Sequence, residues 1–308
     1  MSLLAVRRLS VTLPGGAAVL RAVDFEIGRG EAVGLVGESG SGKTTVLRAA
    51  LRLLPRGAAV QGGIVFDGQE VNALGEGQMN ALRGARIGAV FQEPLATLDP
   101  RQRIGDVIAE PLRIRGTTRR EAATRTAHLL QQVGLPPEAG AAYPHRLSGG
   151  QRQRAGIAVA LAAEPDLLLA DEPTSALDPP VRRQILALLT GLVGARGGAM
   201  LLVSHDLDLI AACVQRLVVL YAGAVMEAGA CDSVLRHPRH PYTAALLAAQ
   251  PRLFGGIPRP LPGSLPDPHH PAPGCPFAPR CPRADAACTA MPPPQGEAAH
   301  RVACWHPL

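Results

Sequence analysis

Hydrophobic and polar positions alternate weakly at the start of the chain. Leu4-Ala5-Val6 and Val23-Asp24-Phe25-Glu26-Ile27 flank a Gly15-Gly16 turn, the pattern of antiparallel strands at a sheet edge. Ala32-Val33-Gly34-Leu35-Val36 is instead a continuous apolar run, as a strand buried on both faces requires. From Lys43 to Leu54 the leucines are spaced helically and the run closes near Pro55 and Gly57, which predicts a helix. Gly63-Ile64-Val65-Phe66 reads as an edge segment and Ile87-Gly88-Ala89-Val90-Phe91 as a strand. Helical periodicity then dominates 102–162, broken at Gly116 and around Pro136-Pro137, so an inserted helical subdomain over about 95–162 is expected. Strands follow at 167–171, 200–204 and 217–221, with helices near 179–193 and 208–213. The 235–249 stretch, with His240-Pro241-Tyr242-Thr243, reads as a closing helix after a proline-marked turn. Beyond it, seven prolines between Pro258 and Pro273 leave a tail expected to lack regular structure.

The expected architecture is therefore α/β, with an antiparallel β edge, a helical insert and an irregular tail. One large domain would cover 1–250 and a proline-rich region 251–308. A chain of 308 residues can bury a full core, and 47% hydrophobic content excludes a disordered chain. No apolar stretch reaches the roughly 18 residues needed to cross a bilayer. Met1 to Val11 offers too short an apolar core and no small-residue cleavage pattern, so a soluble intracellular chain is expected. A net charge of +6 fits nucleic acid, an anionic membrane surface, or an ordinary basic protein. It does not choose among them.

The chemistry concentrates in a few places. Gly37-Glu38-Ser39-Gly40-Ser41-Gly42-Lys43-Thr44 stands between the buried strand and the helix. Closely spaced glycines let backbone N–H groups turn toward phosphate oxygens, and the helix adds its positive end. Lys43 is placed to reach β- and γ-phosphates and Thr44 to offer its hydroxyl to Mg²⁺. Asp171 ends the hydrophobic run Leu167-Leu168-Leu169-Ala170, the position of an acid that holds Mg²⁺. Glu172 beside it is the candidate to activate an attacking water, although an acidic pair there also suits a strand's exit to solvent. Gln92, after Phe91, is a candidate for Mg²⁺ and the γ-phosphate water, and His205, after Leu201-Leu202-Val203-Ser204, for the γ-phosphate. Ser148-Gly149-Gly150-Gln151 has two readings: a cap on a helix beginning near Gln151, or donors for a second chain's γ-phosphate.

Taken in order, these motifs resemble the nucleotide-binding subunits of ABC transporters over about residues 3–250. The resemblance makes Gly37 to Thr45 the Walker A loop, Gln92 part of the Q-loop and Leu147 to Gln151 the signature. It makes Leu167 to Glu172 Walker B, Ser175-Ala176-Leu177-Asp178 the D-loop and His205 the switch histidine. It implies a P-loop NTPase fold and two subunits sandwiching two ATP molecules, each between one chain's Walker A loop and the other's signature. The helical subdomain would dock on a membrane partner. Family members often stack an aromatic on adenine from the segment before Walker A, but residues 1–24 hold no Phe, Tyr or Trp. An aliphatic contact from Val11 or Val19 is the expected substitute.

Of six cysteines, Cys213 and Cys231 read as buried or incidental thiols, while Cys275, Cys281, Cys288 and Cys304 gather in the tail. Gaps of five, six and fifteen residues differ from the tight pairs of a zinc finger, leaving an iron–sulfur cluster or structural zinc open. His269 and His270 are possible ligands but read more readily as exposed loop histidines. This ending, with His240-Pro241-Tyr242-Thr243 and Phe91-Gln92-Glu93-Pro94, resembles the ATPases of bacterial dipeptide/oligopeptide importers; nickel and glutathione importers share much of the pattern. The resemblance implies a [4Fe-4S] cluster on the four tail cysteines. It further implies a paralogous ATPase partner in a heterodimer, two membrane permease subunits, an extracytoplasmic peptide-binding protein, and a peripheral place on the cytoplasmic face of the inner membrane. Nucleic acid is not an expected partner: a long coiled-coil insertion and a second nucleotide module, which mark repair and translation relatives, are absent from the sequence.

Overall fold

A computed structural model describes residues 2–92, 98–174, 177–250, 260–297 and 299–308. They form two compact units, one of Met1–Gly28, Ala32–Ala73 and Val203–Leu308, the other of Arg29–Glu31 and Leu74–Leu202.

The first unit opens with strands β1 (Ser2–Thr12) and β2 (Ala18–Gly28), antiparallel as expected. Their turn passes through Gly15 and Gly16, both at positive φ, where a side chain would be strained. Val23, Phe25 and Ile27 face the core while Asp24 and Glu26 face solvent, so the alternation fixes the register. Strand β3 (Ala32–Val36) leads to helix α1 (Lys43–Ala50), followed by β4 (Ala59–Phe66) and the short β5 (Gln69–Glu70). The outer sheet has the order β2-β1-β4-β5. Helix α1 stops short of the expected Leu54. Arg52 takes the left-handed conformation, its N–H bonding to the Ala49 carbonyl and that of Leu53 to the Arg48 carbonyl. This is a Schellman stop made without glycine, so the sequence carries no obvious sign of it.

The second unit begins with helix α2 (Glu76–Leu82), which the periodicity missed, and strand β6 (Ile87–Val90). Helices α3 (Ile104–Ile114), α4 (Arg119–Gln132) and α5 (Gly149–Leu161) fill the expected helical stretch, with breaks at Gly116 and the Pro136-Pro137 pair. Strand β7 (Leu167–Asp171), helix α6 (Pro179–Gly194) and strand β8 (Ala199–Val203) complete it. β6 and β7 are parallel, and every residue of β7 and β8 is buried, which explains their unbroken apolar runs.

The chain then returns to the first unit through α7 (Leu207–Ala211), β9 (Arg216–Tyr221) and β10 (Ala224–Ala230). The expected closing helix is α9 (Pro241–Ala248), entered through the turn at Pro238 with Pro241 at its favoured first position, and α8 (Cys231–Arg236), which the sequence reading did not include, precedes that turn. The tail departs from expectation. It is mostly irregular, yet it contributes β11 (Gln295–Glu297) and β12 (His300–Val302), and β12 pairs antiparallel with β10. In this unit β3 runs parallel to β9, and β9, β10, β12 and β11 follow as antiparallel neighbours. No helix among the described residues is long and apolar enough to cross a membrane.

Candidate nucleotide site and cysteine cavity

In the first unit, the loop Gly37–Gly42 joins the end of β3 to the start of α1. A Cβ on Gly37 would lie 2.0 Å from the Leu220 carbonyl oxygen, and one on Gly42 2.7 Å from that of Val19, with φ at 103°. Only glycine fits either position. Gly42 caps α1 without a side-chain acceptor, so the first N–H groups of the helix lack a capping side chain, as an anion-binding helix end requires. Lys43 is buried, its Nζ donating to the carbonyls of Gly37 (2.8 Å) and Glu38 (2.7 Å) and reaching Ser41 Oγ at 3.4 Å. Thr44 and Thr45 follow in the first turn of α1, half-buried, while Ser39 and Gly40 are exposed. Val11 is fully buried in β1 and is withdrawn as a base contact; half-buried Val19 remains. His205, exposed, follows β8, and its carbonyl accepts from Gln250 Nε2 at 3.2 Å.

The second unit holds the other candidates. Gln92 and the Asp171-Glu172 pair leave the C-terminal ends of two adjacent parallel strands, since Val90 pairs with Ala170. The carboxyl ends of parallel strands are where open α/β sheets place ligands. Asp171 is buried, and Glu172 adopts φ 45°, a left-handed turn at a side-chain-bearing residue that costs roughly 1 kcal/mol or more. Ser148 caps α5: its Oγ accepts from the Gln151 N–H at 3.2 Å, and Gln151 Oε1 accepts from the Ser148 N–H at 2.9 Å. The capping reading of this motif is therefore present within one chain, with Gly149 exposed beside it. Asp178 stands exposed at the N-terminus of α6. Glu93, Pro94, Ser175 and Ala176 lie outside the described residues.

Sequence reasoning missed a cluster behind the phosphate loop, all within the first unit. Tyr242 Oη accepts from the Glu38 N–H at 2.9 Å. Arg280 grips the Glu38 carboxylate with both terminal nitrogens, at 2.8 and 3.0 Å, and also donates to Tyr221 Oη (3.1 Å) and the Pro262 carbonyl (2.6 Å). Phe277 packs edge-on against Tyr221, ring centres 5.3 Å apart, and beside Tyr242 and His240. Glu227, whose side chain is wholly buried, accepts from the N–H groups of Arg239 and His240 and bonds His300 Nε2 at 2.6 Å, joining β10, the start of α9 and β12. The available signals were the His-Pro-Tyr-Thr stretch and an arginine just before a cysteine.

Cys275, Cys281, Cys288 and Cys304 line one cavity of about 10 Å³, together with Arg283, Pro292, Trp305 and His306. Burial pushes the Cys275 thiol up to about 11, and the nearby Cys288 and Cys304 push the same way. Burial likewise raises Cys281 and Cys304. Among the described residues no three of these sulfurs lie within 4.8 Å of one another; the one tight trio of potential ligands is Asp285, Cys288 and His306. Cys231 is buried, as expected, and Cys213 partly so. His269 and His270 are exposed.

Residues 20–175 match the family described as ABC transporter. The chain belongs to the ATP-binding subunits of ABC transporters. Residues 226–288 of this ABC subunit match the family described as the C-terminal region of oligopeptide/dipeptide transporters. A relative in Brucella melitensis, provisionally named a peptide import ATP-binding protein, is 46% identical over 88% of this chain and 86% of its own. Another from Brucella ovis, with the same kind of name, is 44% identical over 94% of this chain and 93% of its own. An ATP-binding cassette solved as a dimer in a post-hydrolysis state bound to ADP and Pi superposes with a TM-score of 0.68, at 29% identity, over 74% of this chain and 98% of that one. The ABC ATPase fold and ATPase activity expected from the motifs are thereby established.

Proposed function

We propose that this subunit hydrolyses Mg-ATP to drive import of dipeptides or oligopeptides across the bacterial inner membrane, from its cytoplasmic face. The observation that carries the reading is the phosphate loop, a glycine-only turn opening a helix beside a buried lysine, in a chain whose tail matches the peptide-transporter region.

Each residue has a role in this reading. Backbone N–H groups of Gly37 to Thr45 would hold the phosphates, Lys43 would leave its carbonyl partners to bind the β- and γ-phosphates, and Thr44, Gln92 and Asp171 would be the Mg²⁺ ligands. Bound there, Mg²⁺ would supply charge neutralisation on the phosphate oxygens. Glu172 accepts the proton of the attacking water, with His205 and Gln92 orienting that water and the γ-phosphate. Ser148, Gly149, Gly150 and Gln151 complete the ATP site of a paralogous partner subunit, and Asp178 lies at the seam. Two permease subunits would carry the resulting motion, loaded by an extracytoplasmic peptide-binding protein.

The tail cysteines Cys275, Cys281, Cys288 and Cys304 are proposed to hold a [4Fe-4S] cluster that would brace a segment held mainly by turns. Their convergence on one cavity supports this. Because ligation needs thiolates, loading releases protons. Anaerobically purified chain should show a broad charge-transfer absorption that disappears in the four-serine variant; a colourless, iron-free protein overturns the cluster.

The cargo is tested by co-purifying the complex and following ATP hydrolysis with its binding protein present. Stimulation by dipeptides or longer peptides is expected. Stimulation by nickel or glutathione, and by no peptide, reassigns the cargo.

A further inference from the structure

We propose that Arg280, in the C-terminal tail, is a positioning residue for the phosphate loop, acting through Glu38 to hold that loop ready for ATP. This rests on the reading of Gly37 to Thr45 as the ATP site.

Glu38 is the second residue of the loop and is held at three points. Arg280 takes its carboxylate with a two-pronged grip, Tyr242 Oη accepts from its N–H, and its carbonyl accepts from Lys43 Nζ. The guanidinium is itself fixed: its side chain is 6% exposed, it donates to Tyr221 Oη and the Pro262 carbonyl, and it lies over the rings of Tyr221 and Phe277 at 5.7 and 6.0 Å. A planar, two-point contact sets direction as well as distance, which an ammonium group in its place would not do.

The tail meets the same region twice more. Leu265 lies 3.4 Å from the position a Cβ on Gly40 would take, and the Ala18 N–H donates to the Pro268 carbonyl at 2.8 Å. The tail thus runs along the phosphate loop, and Arg280 is its one charged tie to Glu38 among the interactions described.

Two consequences follow for binding. A loop already fixed loses less conformational entropy when it closes on phosphates. The Glu38 carboxylate, left alone, would also repel a triphosphate binding to its own loop; Arg280 neutralises it. Removing Arg280 should weaken ATP binding through both effects, while the chemical step, carried by other residues, is left alone.

The charge effect makes the test selective. In the complete complex, Arg280→Met should raise the KM for ATP about tenfold and keep kcat within about twofold. Adding Glu38→Gln removes the stranded carboxylate, so Glu38→Gln/Arg280→Met should recover to within about threefold of wild type. A tail residue with a packing role only would show no such recovery. Arg280→Lys keeps charge without the fork and serves if Arg280→Met does not fold; it should raise KM about threefold. A KM within twofold of wild type for Arg280→Met, an unchanged KM for Arg280→Lys, or a double variant no better than Arg280→Met overturns the proposal. Direct Mg-ATP binding to the wild-type chain separates the two levels: if that is absent, the ATP-site reading itself falls.

Discussion

Phe277 should hold the tail against the rest of the first unit, and its removal has a calculable effect. The ring is 1% exposed and meets Tyr221, Tyr242 and His240 with ring centres 5.3 to 6.0 Å away. Truncating a buried phenylalanine to alanine costs about 3–5 kcal/mol, the upper part reflecting a void that neighbours cannot fill. Here the neighbours are two tyrosines fixed by hydrogen bonds to Arg280 and Glu38, so collapse is limited. The loss should appear as local opening of the tail, whose backbone ties to the rest of the unit include the β12–β10 pairing and the bond from Ala303 N–H to the Met226 carbonyl. In Phe277→Ala, native-state hydrogen exchange at the Ala303 amide should accelerate by roughly 100- to 4,000-fold, since each 1.4 kcal/mol is a factor of ten. Phe277→Leu should cost about 1–2 kcal/mol. Exchange in Phe277→Ala within about fivefold of wild type would refute the packing argument.

Other predictions concern the same unit. Glu227→Gln replaces one acceptor oxygen with a donor that faces at least one backbone N–H, of His240 or of Arg239, at a wholly buried side chain, so it should cost about 1–3 kcal/mol and lower the melting temperature by a few degrees; an unchanged melting temperature contradicts it. Burial holds His240 down to about 4, and its Nδ1 accepts from the Tyr242 N–H, as only the neutral ring can. Between pH 6.5 and about 4 the unfolded chain therefore binds a proton that the folded chain refuses. Stability attributable to His240 is complete above 6.5 and falls by about 3 kcal/mol as pH drops to 4. Urea midpoints of wild type and His240→Gln should differ in pH dependence over that window, and parallel curves contradict the assignment.

What the sequence made legible was local. The phosphate loop follows from glycines that no other residue can replace, and the Ser148–Gln151 cap from a serine and glutamine three positions apart. The buried strands show as unbroken apolar runs. Hidden features depended on distant partners. His300–Val302 is too short to show a period and becomes a strand only by pairing with β10. The end of α1 moved because Arg52 accepted a left-handed conformation usually left to glycine. Arg280 and Glu38 are 242 positions apart, and nothing near either announces the other. Burial likewise overruled Val11, whose chemistry suited a base contact but whose side chain the sheet had already taken.

In the proposed cycle, ATP joins this subunit to its partner through the Ser148–Gln151 segment and Glu172 then drives hydrolysis. Glu172→Gln, mixed with the paralogous subunit and saturating Mg-ATP, should form a stable dimer by light scattering, with less than about 1% of wild-type turnover. Dissociation on replacing ATP by ADP should follow. A variant that stays monomeric with its partner present, or hydrolyses ATP at the wild-type rate, rules this cycle out.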